Sequence, residues 1–130
     1  MGGWPVTERL LGLGLDTLML KQRVIAENIA NVNTPGYKRR DVAFPAELKK
    51  AEARLPLRTT HPRHLPTPSA VGSPRVVVDT TTTMRNDQNN VDLEKETASL
   101  AQTQILYNAL VEQLNLGYQR LRTAVREGRA

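Results

Sequence analysis

The chain has 130 residues, no cysteine and a formal net charge of +5, with 39% hydrophobic and 4% aromatic residues. This length corresponds to a single domain; the scarcity of aromatic side chains makes a thick globular core hard to build, and the lack of cysteine excludes disulfides and thiolate metal sites. The positive charge raises nucleic acid as a partner, but six Lys and Arg residues fall in each of residues 1–43, 44–83 and 84–130, so no basic block marks a binding face.

The first predicted element is an amphipathic helix from about Thr7 to Val32. Thr7 is a suitable N-cap, and Glu8 in the first turn interacts favourably with the helix macrodipole. Gly12 and Gly14 weaken the first third of the helix. The apolar stripe has a helical 4-3-4-3 spacing that only Gln22 interrupts, and its members are Leu11, Leu15, Leu18, Ile25, Ile29 and Val32.

The N-terminal stretch is not a typical secretory signal, because Asp16 and Lys21 interrupt it and no small-residue cleavage site follows. No apolar run approaches the roughly 18 residues that a membrane-spanning helix requires. We therefore expect that, if the protein leaves the cytoplasm, it does so without a cleaved signal peptide.

A turn is predicted to end this helix. Thr34 precedes a proline, which disfavours the α region for its backbone. Pro35 and Gly36 suit the two central positions of a type II turn, since proline fixes φ and glycine accepts a positive φ. Asn31 and Asn33 suit a left-handed conformation or the capping of exposed carbonyls. On physical grounds alone, these residues indicate a helix terminator.

The middle of the chain, assigned to residues 44–91, holds six prolines within 30 residues. This density excludes a long helix. Residues 76–78 and 80–83 favour extended structure, and residues 86–90 form a cluster of turn-favouring side chains. We therefore predict a loop-rich segment with room for a short β-hairpin.

A second, longer helix is predicted from about Asp92 to Arg126. Asp92, Glu94 and Glu96 lie at its start and arginines at its end, an arrangement that complements the macrodipole. A narrow stripe with a period of about 3.5 residues is typical of a coiled coil. Its ten positions are Leu93, Thr97, Leu100, Gln104, Tyr107, Val111, Leu114, Tyr118, Leu121 and Val125.

These elements predict a mainly α protein in three segments. Residues 1–43 hold the first helix and its turn, residues 44–91 the proline-rich loop segment, and residues 92–130 the second helix. The two terminal helices are expected to pair as a coiled-coil hairpin. Further apolar positions outside the pairing stripes indicate assembly with helices of other molecules: Leu10, Met19, Leu106, Leu110 and Leu116.

No constellation for catalysis is visible. His61 and His64 are the only histidines, and they lack nearby carboxylates to complete a metal site. Residues 87–90 lack the glycine and the distal glutamate of a calcium loop, and the chain has no phosphate-binding glycine loop. We expect no enzymatic activity, no metal and no cofactor.

Several stretches resemble the flagellar rod and hook proteins. Residues 30–38, Ala-Asn-Val-Asn-Thr-Pro-Gly-Tyr-Lys, resemble the motif near the N-terminus of that family. Residues 60–65 resemble a stretch in the middle of its rod subunits. Residues 89–96 and 107–110 resemble the start and the body of its C-terminal helix. Gln88 stands where such subunits frequently carry glycine, which leaves the tightness of that turn open.

The resemblance implies a structural subunit of the proximal rod that transmits torque from the membrane ring to the distal rod and hook. It implies export through the flagellar type III apparatus without signal cleavage, and polymerisation in the periplasm with both terminal helices in an inner coiled-coil shell. The implied partners are other copies of the chain, other rod subunits, the ring protein FliF, the adaptor protein FliE and the export apparatus. Assembly contacts are expected from the apolar residues of both stripes and from Asn31, Asn33, Thr34, Pro35, Gly36 and Tyr37.

Two alternatives remain open at this point. One is a sibling rod subunit of the same family. The other, of a different class, is a basic helical nucleic-acid-binding module, for which Lys38, Arg39 and Arg40 form the only run of like charge.

Overall fold

The computed structural model describes residues 6–45, 72–81 and 85–128. His61, His64 and most of the proline-rich segment lie outside these ranges, so what was predicted for them stays a prediction. Among the described residues, no helix combines the length and the apolar character needed to cross a membrane, and no cluster of acidic and histidine side chains has the arrangement of a metal site.

Two helices and a small sheet make up the described structure. Helix α1 covers Val6–Ala30 and helix α2 covers Leu93–Glu127. Strand β1 covers Arg40–Ala43, strand β2 covers Arg75–Val78, and the two pair antiparallel. The prediction of a mainly α protein with two long helices and a short antiparallel sheet is confirmed.

The start of α2 carries the predicted acidic residues, and the first of them, Asp92, is the N-cap of the helix. Asp92 lies just outside the helix in an extended conformation, and its carboxylate accepts hydrogen bonds from the Glu94 and Lys95 backbone N–H groups at 3.0 and 3.3 Å. These groups have no partner within the helix, and a carboxylate at this position stabilises the helix typically by about 1 kcal/mol.

The two helices pack antiparallel. The end of α1 meets the start of α2, where Asn28 contacts Glu96. The start of α1 meets the second half of α2, where a Cβ on Gly117 would lie 3.7 Å from Glu8 Oε1. The last turns of α2 therefore extend past the first described residue of α1.

The hydrophobic core is small and lies at one end of this helix pair. Its fully buried apolar side chains in the described residues are Leu18, Val24, Ile25, Val42 and Val91. They come from the second half of α1, from β1 and from the segment just before α2. The core therefore lies where β1 packs against the second half of α1.

Near its start, the face that α2 turns toward α1 is rotated by about one residue from the predicted stripe. Glu96 and Thr103 are buried, whereas the adjacent stripe members Thr97 and Gln104 are exposed. The periodicity of the sequence identifies an apolar stripe. Which residues beside that stripe are buried depends on which polar side chains, such as Glu96, form hydrogen bonds with other parts of the chain. Gln22 and Gln104, polar members of the two predicted stripes, lie opposite each other and form a hydrogen bond of 2.7 Å.

The sheet joins two of the three predicted segments. Arg40 lies opposite Val78 and Ala43 lies opposite Arg75. Strand β1 therefore precedes residue 44, outside the proline-rich segment in which the sequence left room for a hairpin. This pairing depends on contacts between residues that are far apart in the chain, and local propensity carries no information about them.

Candidate functional site

The turn after α1 has the predicted geometry. Gly36 has a φ of +72°, Pro35 precedes it, and the Tyr37 N–H donates to the Thr34 carbonyl at 3.3 Å. These are the features of a type II turn. The helix itself ends at Ala30, two residues earlier than predicted.

A second turn lies just before α2. The Gln88 N–H donates to the Arg85 carbonyl at 3.0 Å, and Gln88 has a φ of +64°. This is the left-handed region, which a residue with a Cβ occupies at a cost of roughly 1–2 kcal/mol. The turn that the sequence left open thus forms with glutamine in a conformation that favours glycine.

The two turns lie against each other. The Gly36 N–H donates to the Asp87 carbonyl at 2.8 Å, and the Lys38 Nζ donates to the Gln88 carbonyl at 2.7 Å. Gln88, the residue with the left-handed backbone conformation, is therefore also the residue whose carbonyl binds Lys38. The stretches that carry the resemblance, which are far apart in the sequence, are therefore in direct contact.

Asn89 binds the turn that follows α1. Its side chain is completely buried, and its amide nitrogen lies 3.0, 3.0 and 2.9 Å from the carbonyl oxygens of Asn31, Val32 and Thr34. Its side-chain oxygen accepts from the Val91 N–H at 2.8 Å. A residue more than fifty positions later in the chain therefore holds the turn through which the chain leaves α1.

Asn28 holds β1 against α1. Its side-chain oxygen accepts from the Arg40 N–H at 3.0 Å, and its amide nitrogen donates to the Arg40 carbonyl at 2.8 Å. The same nitrogen donates to Glu96 Oε2 at 3.1 Å. Asn28 is completely buried. Its side chain therefore occupies the edge of β1 as a neighbouring strand would, and links that edge to α2.

Glu96 is a buried acid whose charge is balanced by Arg39. The Glu96 side chain is fully buried, and its Oε1 accepts from the Arg39 Nε at 2.5 Å. Arg39 also contacts Asp41 at 3.2 Å. Burial by itself lowers the pKa of Arg39, but the hydrogen bond to Glu96 and the charges of Glu96 and Asp41 together raise it. Arg39 therefore remains charged, as a buried carboxylate requires of its partner.

Asn90 closes the open end of the sheet. Its side-chain oxygen accepts from the Arg39 N–H, and its amide donates to the Asp79 carbonyl at 2.9 Å. The Asp79 N–H donates to the Arg39 carbonyl at 2.8 Å. Hydrogen bonds from the Thr81 hydroxyl and N–H lower the pKa of Asp79, which keeps this exposed carboxylate ionised.

We call this set of five residues the polar clasp: Asn28, Arg39, Asn89, Asn90 and Glu96. Its side chains join α1, the turn that follows, both strands and α2 through hydrogen bonds. The clasp contains no nucleophile paired with a base, so its arrangement serves to hold segments together.

Sequence reasoning did not select any residue of the clasp as a site residue. A signal was present, since Asn28 lies beside the stripe of α1 and three of the other residues fall within residues 89–96, a stretch that carries the resemblance. Polar residues beside an apolar stripe are usually solvated, and only the tertiary contacts of the clasp residues distinguish them from solvated ones.

The predicted site residues fall into three groups by burial. Leu18 and Ile25 are buried. The half-buried members are Leu11, Leu15, Ile29, Asn31, Val32, Tyr37, Leu100, Tyr107, Val111 and Leu114. The exposed members are Asn33, Thr34, Pro35, Gly36, Leu93, Tyr118, Leu121 and Val125.

The basic run at residues 38–40 is occupied by contacts within the chain. Lys38 binds a backbone carbonyl, Arg39 binds Glu96, and Arg40 lies 3.6 Å from Glu27. The one run of like charge that favoured a nucleic-acid-binding module therefore binds acidic side chains and a backbone carbonyl of the same molecule.

The site therefore consists of an antiparallel helix pair in which the Asn-Thr-Pro-Gly turn after α1 contacts the turn before α2. Residues 13–38, which contain most of α1 and its turn, match the family model for the flagella basal body rod protein, so this part of the chain is similar to axial subunits of the flagellum.

Individual proteins are similar to most of the chain. The chain is 38% identical over 110 residues to the flagellar basal body rod protein FlgB of Bacillus subtilis (strain 168), and the alignment covers 85% of each protein. It is 37% identical over 105 residues to FlgB of Borreliella burgdorferi, covering 74% of this chain and 78% of that protein. It is 31% identical over 119 residues to FlgB of Cereibacter sphaeroides (strain ATCC 17023), covering 89% and 93%. The chain belongs to the FlgB family of flagellar basal body rod proteins. This family is structural, so the chain is a component of the rod and not an enzyme.

Proposed function

We propose that the chain is a subunit of the proximal part of the rod, where it transmits torque from the membrane ring to the distal rod and hook. The family supports a role in the rod of the basal body. The apolar surface of α2 supports assembly through the terminal helices, and this observation carries the proposal.

That surface consists of large apolar side chains that the helix pair leaves accessible to solvent. Leu121 is 58% exposed and Val125 is 56% exposed, and both lie where α2 extends past α1. Tyr118, Leu121 and Val125 are three and four residues apart, so they share one face of the helix, and apolar surface of this kind marks contact sites between proteins. Leu93, Ile105 and Leu106 are exposed elsewhere on α2.

The polar clasp supports the torque-bearing part of the proposal. A subunit that transmits torque must resist sliding of one helix along the other. A shift of α2 along α1 would separate Glu96 from Arg39 and Asn28, leaving a buried carboxylate without partners. Such a loss is strongly unfavourable, on the order of 3–5 kcal/mol. The clasp thus opposes this sliding.

Partners and location follow from the same proposal. The subunit contacts other copies of itself and other rod subunits, and it joins the ring through FliF and the adaptor FliE. It reaches the periplasm through the flagellar type III export apparatus without a cleaved signal peptide. The assembly contacts come from the members of the two stripes and of the turn at residues 31–37 that are accessible to solvent, since Leu18 and Ile25 are buried within the chain.

Leu121→Asp tests the assembly surface, with Gln119→Asp as its matched control. Both positions are exposed on the same turn of α2, and each variant introduces one carboxylate. We expect Leu121→Asp to reduce incorporation into purified basal bodies and motility, while the periplasmic amount of the protein stays the same. Wild-type incorporation of Leu121→Asp, or equal losses in both variants, would contradict an assembly role for this surface.

The proximal position needs a separate measurement. In cells that lack the distal rod and hook subunits, the chain should still copurify with the membrane ring. Its loss from the ring fraction under these conditions would show that it assembles later than proposed.

A further inference from the structure

Strand β2 contains three consecutive valines whose side chains are exposed to solvent. Val76, Val77 and Val78 are 46%, 50% and 48% exposed, and Arg75 is also exposed. In the described sheet, β2 pairs only with β1, so its other edge is open. Exposed edge strands rich in β-branched residues are templates for pairing with another strand.

The hydrogen bonds of β1 reveal which residues form this open edge. The Asp79 N–H donates to the Arg39 carbonyl, which makes residues 39 and 79 a hydrogen-bonded pair. Such pairs alternate along an antiparallel ladder, so the backbone groups of Val77 face β1 and those of Val76 and Val78 face outward. The outward groups of Arg40, opposite Val78, are bound by Asn28. Within the described part of the chain, no hydrogen bond is made by the outward groups of Val76 and Val78.

The sequence of this edge is complementary to itself. In an antiparallel pair of two copies centred on Val77, Val76 of each copy lies opposite Val78 of the other. Val76 and Val78 carry the outward N–H and carbonyl groups. In this register each of the two Val76–Val78 pairs exchanges two hydrogen bonds, so the two copies are joined by four. The same register places the cationic Arg75 of each copy opposite the ionised Asp79 of the other, on one face of the sheet.

We infer that the open edge of β2 pairs with β2 of a second copy, in antiparallel orientation about a two-fold axis at Val77, to form a four-stranded sheet. The charge pattern and the alternation of backbone groups select the same register independently. The inference goes beyond the proposed rod function. A two-fold contact closes on itself, whereas a rod grows through head-to-tail contacts, so this pairing belongs to the free subunit.

The contact is small. Adding one short strand buries much less than the roughly 1,200 Å² of a stable interface. The pair therefore forms only at high protein concentration and dissociates readily, which allows subunits to enter a growing rod.

Single cysteines test the register, because the 130-residue chain has no cysteine of its own. In Val77→Cys, the two thiols face each other in a non-hydrogen-bonded pair, whose Cα atoms are about 4.5 Å apart, within disulfide range. We expect this variant to form disulfide dimers under mild oxidation at least about tenfold faster than Val76→Cys or Val78→Cys, which place no thiol opposite its own copy. A mixture of the last two variants should cross-link faster than either alone. Equal rates for the three single variants, or a fastest reaction at position 76 or 78, would overturn the inference.

Charge reversal provides a second test, measured by analytical ultracentrifugation. Arg75→Asp gives each copy two acids and Asp79→Arg gives each copy two bases, so each variant alone should associate at least about tenfold more weakly than the unmodified chain. An equimolar mixture of the two restores both opposite-charge pairs and should restore association. Unchanged association of Arg75→Asp, or a mixture no stronger than its components, would overturn the pairing.

Discussion

The Gly36 N–H donates a 2.8 Å hydrogen bond to the Asp87 carbonyl, and this bond joins two turns that each contain one residue with a positive φ, Gly36 and Gln88. One turn follows α1 and the other precedes α2, each within a few residues of the helix end. The exit from α1 and the entry into α2 are therefore positioned by the same contact, which makes the backbone conformation of each turn a determinant of how the helices meet.

Alanine substitution at Gly36 tests its positive φ, because any loss of stability would come from backbone strain and not from a steric clash of the added methyl group. An added Cβ at Gly36 or at Gly12 has no atom within 4 Å, so neither substitution by alanine is sterically blocked. Gly36→Ala should lower the free energy of unfolding by about 1–2 kcal/mol, because φ is +72°. Gly12→Ala, inside α1, should raise it by about 1 kcal/mol. Urea unfolding followed by circular dichroism measures both. Changes of the same sign would refute the assigned turn geometry.

Gln88 offers the opposite substitution. Gln88→Gly should raise the free energy of unfolding by roughly 0.5–1 kcal/mol, because relief of the left-handed strain exceeds the entropic cost of glycine. Gln88→Val should lower it, since a β-branched side chain tolerates this φ least. The same denaturation measurement gives the order glycine, glutamine, valine from most to least stable. A valine variant as stable as the glycine variant would show that φ is not positive in solution.

Removal of the buried Asn89 side chain should loosen the turn that follows α1. Asn89→Ala leaves the carbonyls of Asn31, Val32 and Thr34 without their shared donor, and we expect the free energy of unfolding to fall by about 1–3 kcal/mol. Asn86→Ala, at an exposed position in the second turn, is the control and should change stability little. Hydrogen exchange measured by NMR should show faster exchange of the hydrogen-bonded amides of residues 34–37 for Asn89→Ala only. Equal exchange in the two variants would argue against this role of Asn89.

The buried ion pair predicts a non-additive double-mutant cycle. Arg39→Met leaves the Glu96 carboxylate buried without its cation and should cost roughly 3 kcal/mol of unfolding free energy. Arg39→Met combined with Glu96→Met should cost clearly less, because no uncompensated charge remains. Arg40→Met, which removes the exposed pair with Glu27, is the control and should cost at most about 1 kcal/mol. Additive losses for the Arg39 and Glu96 variants would refute the coupling.

Much of the fold was predictable because it depends on neighbouring residues. The two helices follow from apolar spacing, the cap at Asp92 from its side chain, and the turn at Pro35 and Gly36 from restricted backbone torsions. Family membership was predictable for the same reason, since its motifs are contiguous stretches such as residues 30–38. The helix pairing itself was also predictable, and Leu18 and Ile25 of the predicted stripe are buried.

The polar clasp was decided by the tertiary structure alone. Glu96 is buried because Arg39 and Asn28, 57 and 68 residues away, supply its charge partner and hydrogen-bond donor. Nothing in the local pattern distinguishes such an acid from the solvated acids of the same helix start. Its burial, with that of Thr103, turns the start of α2 so that Thr97 and Gln104 of the predicted stripe are exposed. Short-range sterics and periodicity determined the elements, whereas desolvation of polar groups, which depends on partners brought together only by folding, determined how those elements meet.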